Sequence, residues 1–493
     1  MGTLDLAVIV GYFLLTLTLG LWSTRGQTTS GDYFLGARNL PAWGVMLSIV
    51  ATETSALTVI SVPGIGARGN LTFLQIAFGY LIGRIFVAAW LLPGYFEGNQ
   101  ETAYARLESR FGVSTRRVIS VSFLVTRFLG DGVRIFAGAI PLALVTGWEI
   151  PTAIITMGLI TLAYTWYGGL KGVVIADILQ LGIYLTGAIA ALVIAWSLAG
   201  GAGNALSLAA LSGKLQLFEF QNTFTAPYAF VGALIGGAML SAASHGTDHL
   251  IVQRLLATRS LQAARKALIG SGLLIIAQFA LFLTLGSAIW AAGLAGEELA
   301  GDQILPNFVI TKLPAGLAGL MIAGILAAAM STISSSINAL ASSVTNDLYA
   351  GWSGRTDPKH LFRIGRLVSL SWGIALISGA LGFHWLASDS NTPVVVLALS
   401  IASVTYGVLL GTFILAGTRW KLQGPDVIKG AVVSITIMLI VIFSARLASL
   451  SGFKLLDQVS RLSWTWYVPL GTLITMGFSL TASLPRRIAG NRT

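Results

Sequence analysis

Apolar runs of about twenty residues recur from one end of the chain to the other, each long enough to cross a hydrocarbon core of about 30 Å as an α-helix. Inside lipid the backbone has no water to bond to, and a helix satisfies its own polar groups. About thirteen such runs are read, at 4–22, 43–62, 73–96, 118–148, 150–167, 173–198, 228–244, 267–292, 315–344, 367–385, 394–417, 430–447 and 463–484. The expected molecule is an all-α membrane protein. It is read as a single polytopic membrane domain over 1–493, because the longest polar connections, near 97–117 and 347–366, are too short to fold alone.

The net charge of +11 would suit a nucleic-acid partner, but its placement argues otherwise. With the N-terminus outside, the inner connections carry twenty-one Lys and Arg, from Arg25 to Arg492, and the outer ones six. That asymmetry predicts a cytoplasmic C-terminus in a plasma membrane, here a bacterial inner membrane. The first run has no basic residues ahead of it and carries Asp5, so it is expected to stay as a span rather than act as a signal peptide. Without cysteine there are no disulfides and no thiolate metal sites. His245, His249, His360 and His384 lack metal-ligand spacing, and no phosphate loop, nucleotide motif or Ser-His-Asp arrangement occurs. Enzymatic chemistry and ATP-driven transport are therefore not expected, and no cofactor is.

Chemistry enters where apolar runs are interrupted. Met330-Ser-Thr-Ile-Ser-Ser-Ser336 puts five hydroxyls into the run at 315–344. Ser331, Ser334 and Ser335 share one helical face by the i, i+3, i+4 rule. Hard cations take oxygen ligands, and hydroxyls supply them without placing charge in the bilayer. Asp177 is an acid inside another apolar run, where the bilayer tolerates charge only for a purpose. The second run holds Thr52, Glu53, Thr54, Ser55 and Thr58 at its middle, residues that compete with helical bonding and favour a break. The seventh, with Gly232, Gly236, Gly237 and Ser241–Ser244, reads as a second loosened segment five spans on, unless its glycines serve only close packing.

These residues carry a family resemblance. Gly316–Asn338, G-L-A-G-L-M-I-A-G-I-L-A-A-A-M-S-T-I-S-S-S-I-N, and Trp166–Gln180, W-Y-G-G-L-K-G-V-V-I-A-D-I-L-Q, resemble the sodium:solute symporter family, with weaker pieces at 246–254, 405–411 and 32–38. The resemblance implies a leucine-transporter-like five-plus-five inverted repeat over about 43–417, one extra helix before it (4–22) and two after it (about 430–484). It also implies a conserved sodium site made of the carbonyls of Ala51, Thr54 and Ala328 with the hydroxyls of Ser331 and Thr332. A second sodium site found in some members maps onto Asp177, Ser331, Ser334 and Ser335; the alternative is a structural acid bonded to hydroxyls. Ser336 falls off that face and reads as packing.

The solute pocket implied by the resemblance lies between the broken first core helix, the third and the tenth. Glu53, Ser55 and Thr58 are candidates from the first. The family's sugar carriers have glutamine where this chain has Thr58, which disfavours hexose. In the third, Arg127 with Asp131 is the expected ion pair, leaving Arg134 to hold a carboxylate bidentately; a purely structural triad is the alternative. Arg84 reads as an inner-half anchor, and Trp166, Tyr406 and Phe78 as lining or packing. The expected function is a sodium-coupled secondary symporter importing a small organic solute by alternating access. A proton-coupled carrier of the same fold, using Glu53 or Asp177, and a non-transporting solute sensor are the runners-up. Its partners are then the solute, Na+ and the bilayer, with no nucleic acid and no obligate protein.

Overall fold

The computed structural model describes residues 2–22, 26–97, 100–387 and 394–490, with the side chains of 144–145, 386–387, 394–403 and 487–490 left out. Arg25, Arg492 and the side chain of Arg487, counted above among the inner basic residues, thus lie outside the described residues. The chain runs through α1 (Thr3–Trp22), α2 (Ala42–Glu53), α3 (Ala56–Arg68), α4 (Leu74–Phe86), α5 (Val113–Thr146), α6 (Ile150–Leu198) and α7 (Phe230–Gly246). It continues through α8 (His249–Leu256), α9 (Leu261–Ala291), α10 (Leu317–Ser343), α11 (Pro358–Ala387), α12 (Val394–Gly417), α13 (Gly424–Ile442) and α14 (Tyr467–Gly490). No strand occurs among the described residues; Leu40 and Thr258 form an isolated bridge.

Among the described residues eight helices are long and apolar enough to cross a bilayer, or nine when α2 and α3, bent by 70°, count as one span. Several expected runs differ from this count for physical reasons. The runs at 150–167 and 173–198 form one helix kinked at Gly169, whose φ of 54° and ψ of −159° suit glycine alone. An added Cβ there would also press on the carbonyl of Tyr33. The run at 118–148 is helical as α5 but carries several charges, and α7 has only 17 residues.

Side chains decide the α2–α3 break. Thr54 takes an extended conformation (φ −81°, ψ 105°) while its N–H donates to Val50 at 3.0 Å, the last bond of α2. Ser55, also extended, restarts the chain as the N-cap of α3, its Oγ accepting from the Thr58 N–H. The second loosened segment lies elsewhere than expected. α7 is unbroken through its glycines, and Gly232, Gly236 and Gly237 press on the carbonyls of Thr223, Thr465 and Ile76. The interruption comes after them, at Thr247–Asp248, before the short α8. Glycine there serves close approach, and the polar pair makes the break.

α10 is the central helix: 89% of its spanning window is buried, against 28% for α1. It packs on α6, α5 and α1. The second half of the broken span, α3, is fixed differently, by contact of backbone on backbone. Gly286 of α9 faces the Pro63 carbonyl and Gly66 of α3 faces the Leu283 carbonyl. Gly286→Ala is expected to lower the thermal midpoint of the purified protein by several degrees, since a Cβ forced against backbone costs about 1–3 kcal/mol. Gly182→Ala, where a Cβ would meet nothing within 4 Å, should leave it unchanged in the same melting experiment.

Candidate functional site

A cavity of about 290 Å³ opens at the α2–α3 break, walled by α4, α5, α7, α9 and Tyr406 of α12. Glu53, Ser55, Thr58 and Arg134 all line it, together with Thr52, Ser61 and the apolar faces of Phe73, Tyr80, Phe279 and Trp464. The volume suits a small solute, and the wall is largely apolar with a few polar groups, as binding sites usually are.

The charges in this wall are paired, and not as expected. Glu53 is ion-paired with Arg84, which is fully buried and also donates to Ser271 Oγ at 2.6 Å. His245 Nε2 lies 3.5 Å from the same Glu53 oxygen. Arg84 is therefore the partner of Glu53 rather than an inner-half anchor. Arg127 is paired mainly with Asp248, and its Nη2 also donates to the Tyr406 hydroxyl at 3.2 Å. Asp131 lies closer to Arg134 (3.2 Å) than to Arg127 (3.5 Å). Ser336 is no packing residue: its Oγ donates to Asp131 Oδ2 at 2.5 Å. Tyr406 belongs to the pocket wall, bonded to Asp248 at 3.1 Å, while Trp166 donates to the Arg366 carbonyl away from it. Arg134 keeps 25% of its side chain exposed against 9% for Arg127, so the open guanidinium in the cavity is Arg134.

Behind the cavity lies a second, fully buried cluster. Asp177 Oδ1 accepts from Ser331 Oγ at 2.6 Å, and Oδ2 accepts from Ser48 Oγ at 2.5 Å and from Arg254 Nη2 at 3.1 Å. Arg254 Nη2 also donates to Ser335 Oγ at 2.5 Å, and Thr52 Oγ1 sits 3.1 Å from that hydroxyl. Ser334 and Ser335 donate to the Ser331 carbonyl at 3.0 and 2.6 Å, and Thr332 to that of Ala328 at 3.3 Å. α2 makes its last bond at Val50, so the carbonyls of Ala51 to Thr54 lie beyond its ladder. Thr54 is braced from α9, where Gln278 donates to its Oγ1 at 2.8 Å and accepts from the Tyr184 hydroxyl at 3.0 Å. Among the described residues no three His, Cys, Asp or Glu side chains gather as a metal-binding group.

Four participants escaped the sequence reading. Arg254, tallied there as a loop charge, is wholly buried. Asp248, one residue before a short helical stretch, is an N-cap signature that could have been read. His245 and Gln278 gave no local signal.

A solute-sized cavity and a buried carboxylate–hydroxyl cluster, both hung on one broken helix, define a membrane transporter. The sodium:solute symporter family model matches residues 33–434, and the chain belongs to that family. It is a multi-pass, sodium-coupled symporter. The human sodium/iodide cotransporter is 30% identical over 90% of this chain and 70% of its own length. Human sodium-coupled monocarboxylate transporter 1 is 31% identical over 83% and 68%. The substrate-bound, outward-open structure of a Na+-coupled sialic acid symporter, described as revealing a novel Na+ site, superposes with a TM-score of 0.84 at 26% identity, covering 98% of both chains.

Because Arg84 is buried with Glu53 as its counter-charge, Glu53→Gln should destabilise the protein by about 3–5 kcal/mol. Adding Arg84→Met should restore part of that loss. A thermal-unfolding double-mutant cycle checks both, and a silent Glu53→Gln would contradict the pairing.

Proposed function

We propose that the protein imports a small solute bearing a carboxylate or similar anion, driven by sodium held at the α2 break. The observation that carries this is the meeting of α2 and α10: Thr52 touches Ser335, and the unladdered carbonyls of Ala51 and Thr54 lie on the same broken span as the cavity residues Glu53, Ser55 and Thr58. The conserved sodium then takes the carbonyls of Ala51, Thr54 and Ala328 with the hydroxyls of Ser331 and Thr332, five neutral oxygens around one hard cation. A second sodium takes Asp177 with Ser331, Ser334 and Ser335. Ser331 belongs to both sets, which would make the two ions interdependent.

On this reading Arg134 holds the solute's anionic group while Ser55 and Thr58 offer hydroxyls. Glu53, neutralised by Arg84, asks for no cationic portion of the solute. The named cargoes of the relatives, iodide, monocarboxylate and sialic acid, are anions, which agrees with a guanidinium in the wall. Thirteen spans follow if α2–α3 is one, α6 is divided at Gly169, and α5, α7 and α12 each cross. The two repeats of five then begin with the α2–α3 and α7–α8 breaks, over a core of about 43–417, with 4–22 ahead and about 430–484 behind. The basic residues orient this single domain N-terminus out and C-terminus in, within a bacterial inner membrane. Proton coupling is disfavoured because both of its candidate carriers, Glu53 and Asp177, are ion-paired.

The double change Ser331→Ala, Thr332→Ala is expected to abolish sodium-stimulated uptake in proteoliposomes while the protein stays folded. Uptake with the wild-type sodium dependence would refute the site. Arg134→Lys keeps the charge but loses the planar fork, so affinity for carboxylate solutes should fall by about ten-fold or more. A solute screen by thermal shift in which only neutral sugars bind would overturn the anion reading.

A further inference from the structure

Asp177 already has a cation against it. The Arg254 guanidinium is fully buried and spends its donors on the cluster: Nη2 on Asp177 and Ser335, and Nε on Ser48 Oγ at 2.8 Å. Only Nη1 turns back to its own helix, bonding the Leu250 carbonyl at 2.8 Å. A sodium ion on Asp177 and Ser335 would need the oxygens that the guanidinium now holds. In a buried, low-dielectric interior, two cations a few ångströms apart repel strongly, and one carboxylate neutralises only one of them. Guanidinium and ion are therefore alternatives at this carboxylate.

The helix that bears Arg254 connects this place to the solute cavity. α8 is two turns long and every one of its residues is buried. Arg254 lies in its last turn, and Asp248 caps its start, Oδ1 accepting from the Leu250 N–H at 2.9 Å. Asp248 Oδ2 in turn holds Arg127 and Tyr406, both of which line the cavity. So short a helix shifts as one body, and a change at Arg254 reaches Asp248.

We propose that Arg254 is a tethered competitor of sodium. It neutralises Asp177 while the ion is away, releases Asp177 and Ser335 when the ion arrives, and through α8 passes that exchange to Arg127 and Tyr406 in the cavity wall. The proposal rests on Asp177 being a sodium ligand. Arg254 is a positioning residue here and touches no solute.

The test is the sodium dependence of thermal stability of the purified full-length protein, with ionic strength held constant by choline chloride. Arg254→Gln removes the charge and keeps donors, and should lower the sodium concentration for half-maximal stabilisation by about ten-fold. Arg254→Lys keeps the charge and should stay near the wild-type value. A merely structural arginine would give the opposite, with unchanged or weakened sodium dependence in Arg254→Gln, and that result overturns the competition. Asp177→Asn separates the two readings. If it loses a sodium-dependent component that Arg254→Gln does not tighten, Asp177 is a sodium ligand and only the competition is wrong. If it loses nothing, the ligand reading fails and the proposal falls with it. Should Arg254→Gln fold only in sodium, the ion has replaced the guanidinium, as proposed. Failure to fold at any sodium concentration would show that the ion cannot replace it, and would overturn the proposal.

Discussion

A carboxylate at the centre of a membrane protein has to be held on every side, and Asp177 sets the terms for the helices around it. Its oxygens draw Ser48 from α2, Ser331 from α10 and Arg254 from α8, so three elements far apart in sequence are fastened at one point on α6. An uncompensated charge there would cost several kcal/mol. The hydroxyls of α10 share the constraint, because nine-tenths of that helix sees no lipid and its serines must bond inside the protein. Ser334 and Ser335 do so by returning to the Ser331 carbonyl, which leaves Ser331 Oγ itself for the acid.

The cavity obeys the same rule with a different result. Glu53, Asp131 and Asp248 are each matched by an arginine, among Arg84, Arg127 and Arg134, so its wall is close to neutral. Selectivity in such a wall cannot come from net charge. On the proposed reading it comes from the partner least committed, and of these six charged groups Arg134 has the most open surface. A neutral wall also lets the cavity persist in low dielectric without a bound ion to balance it.

Much of this was legible in the chain because it depends on local chemistry. Twenty-residue apolar runs require helices, the Thr-Glu-Thr-Ser stretch at 52–55 spoils one, and hydroxyls at 331, 334 and 335 must share a face. Pairings across the fold were not legible. Nothing near Glu53 in sequence points to Arg84, and nothing near Arg127 points to Asp248, since these are contacts over 31 and 121 positions. Arg254 was misread because a basic residue beyond an apolar run usually lies in a loop; here the chain re-enters as α8 and buries it. The glycines of α7 misled for a related reason: glycine permits both a break and a close approach, and only the neighbours, Thr223, Thr465 and Ile76, decide between them.

The close seating of α3 on α9 has a consequence for motion. Where Gly286 meets Pro63 and Gly66 meets Leu283, the two backbones touch with no side chains between them, and such a seam cannot slide without separating. α3 and α9 must then travel as one rigid block. α2 is tied to the Asp177 side of the molecule through Ser48 and Thr52, and it also packs on α9. The only joint between the two blocks along this stretch of chain is Thr54–Ser55, two residues in extended conformation. Rocking of α2 against α3 would have its pivot there, beside the carbonyls that face the proposed ion. Binding at that point would lock the pivot directly, with no relay through the rest of the fold.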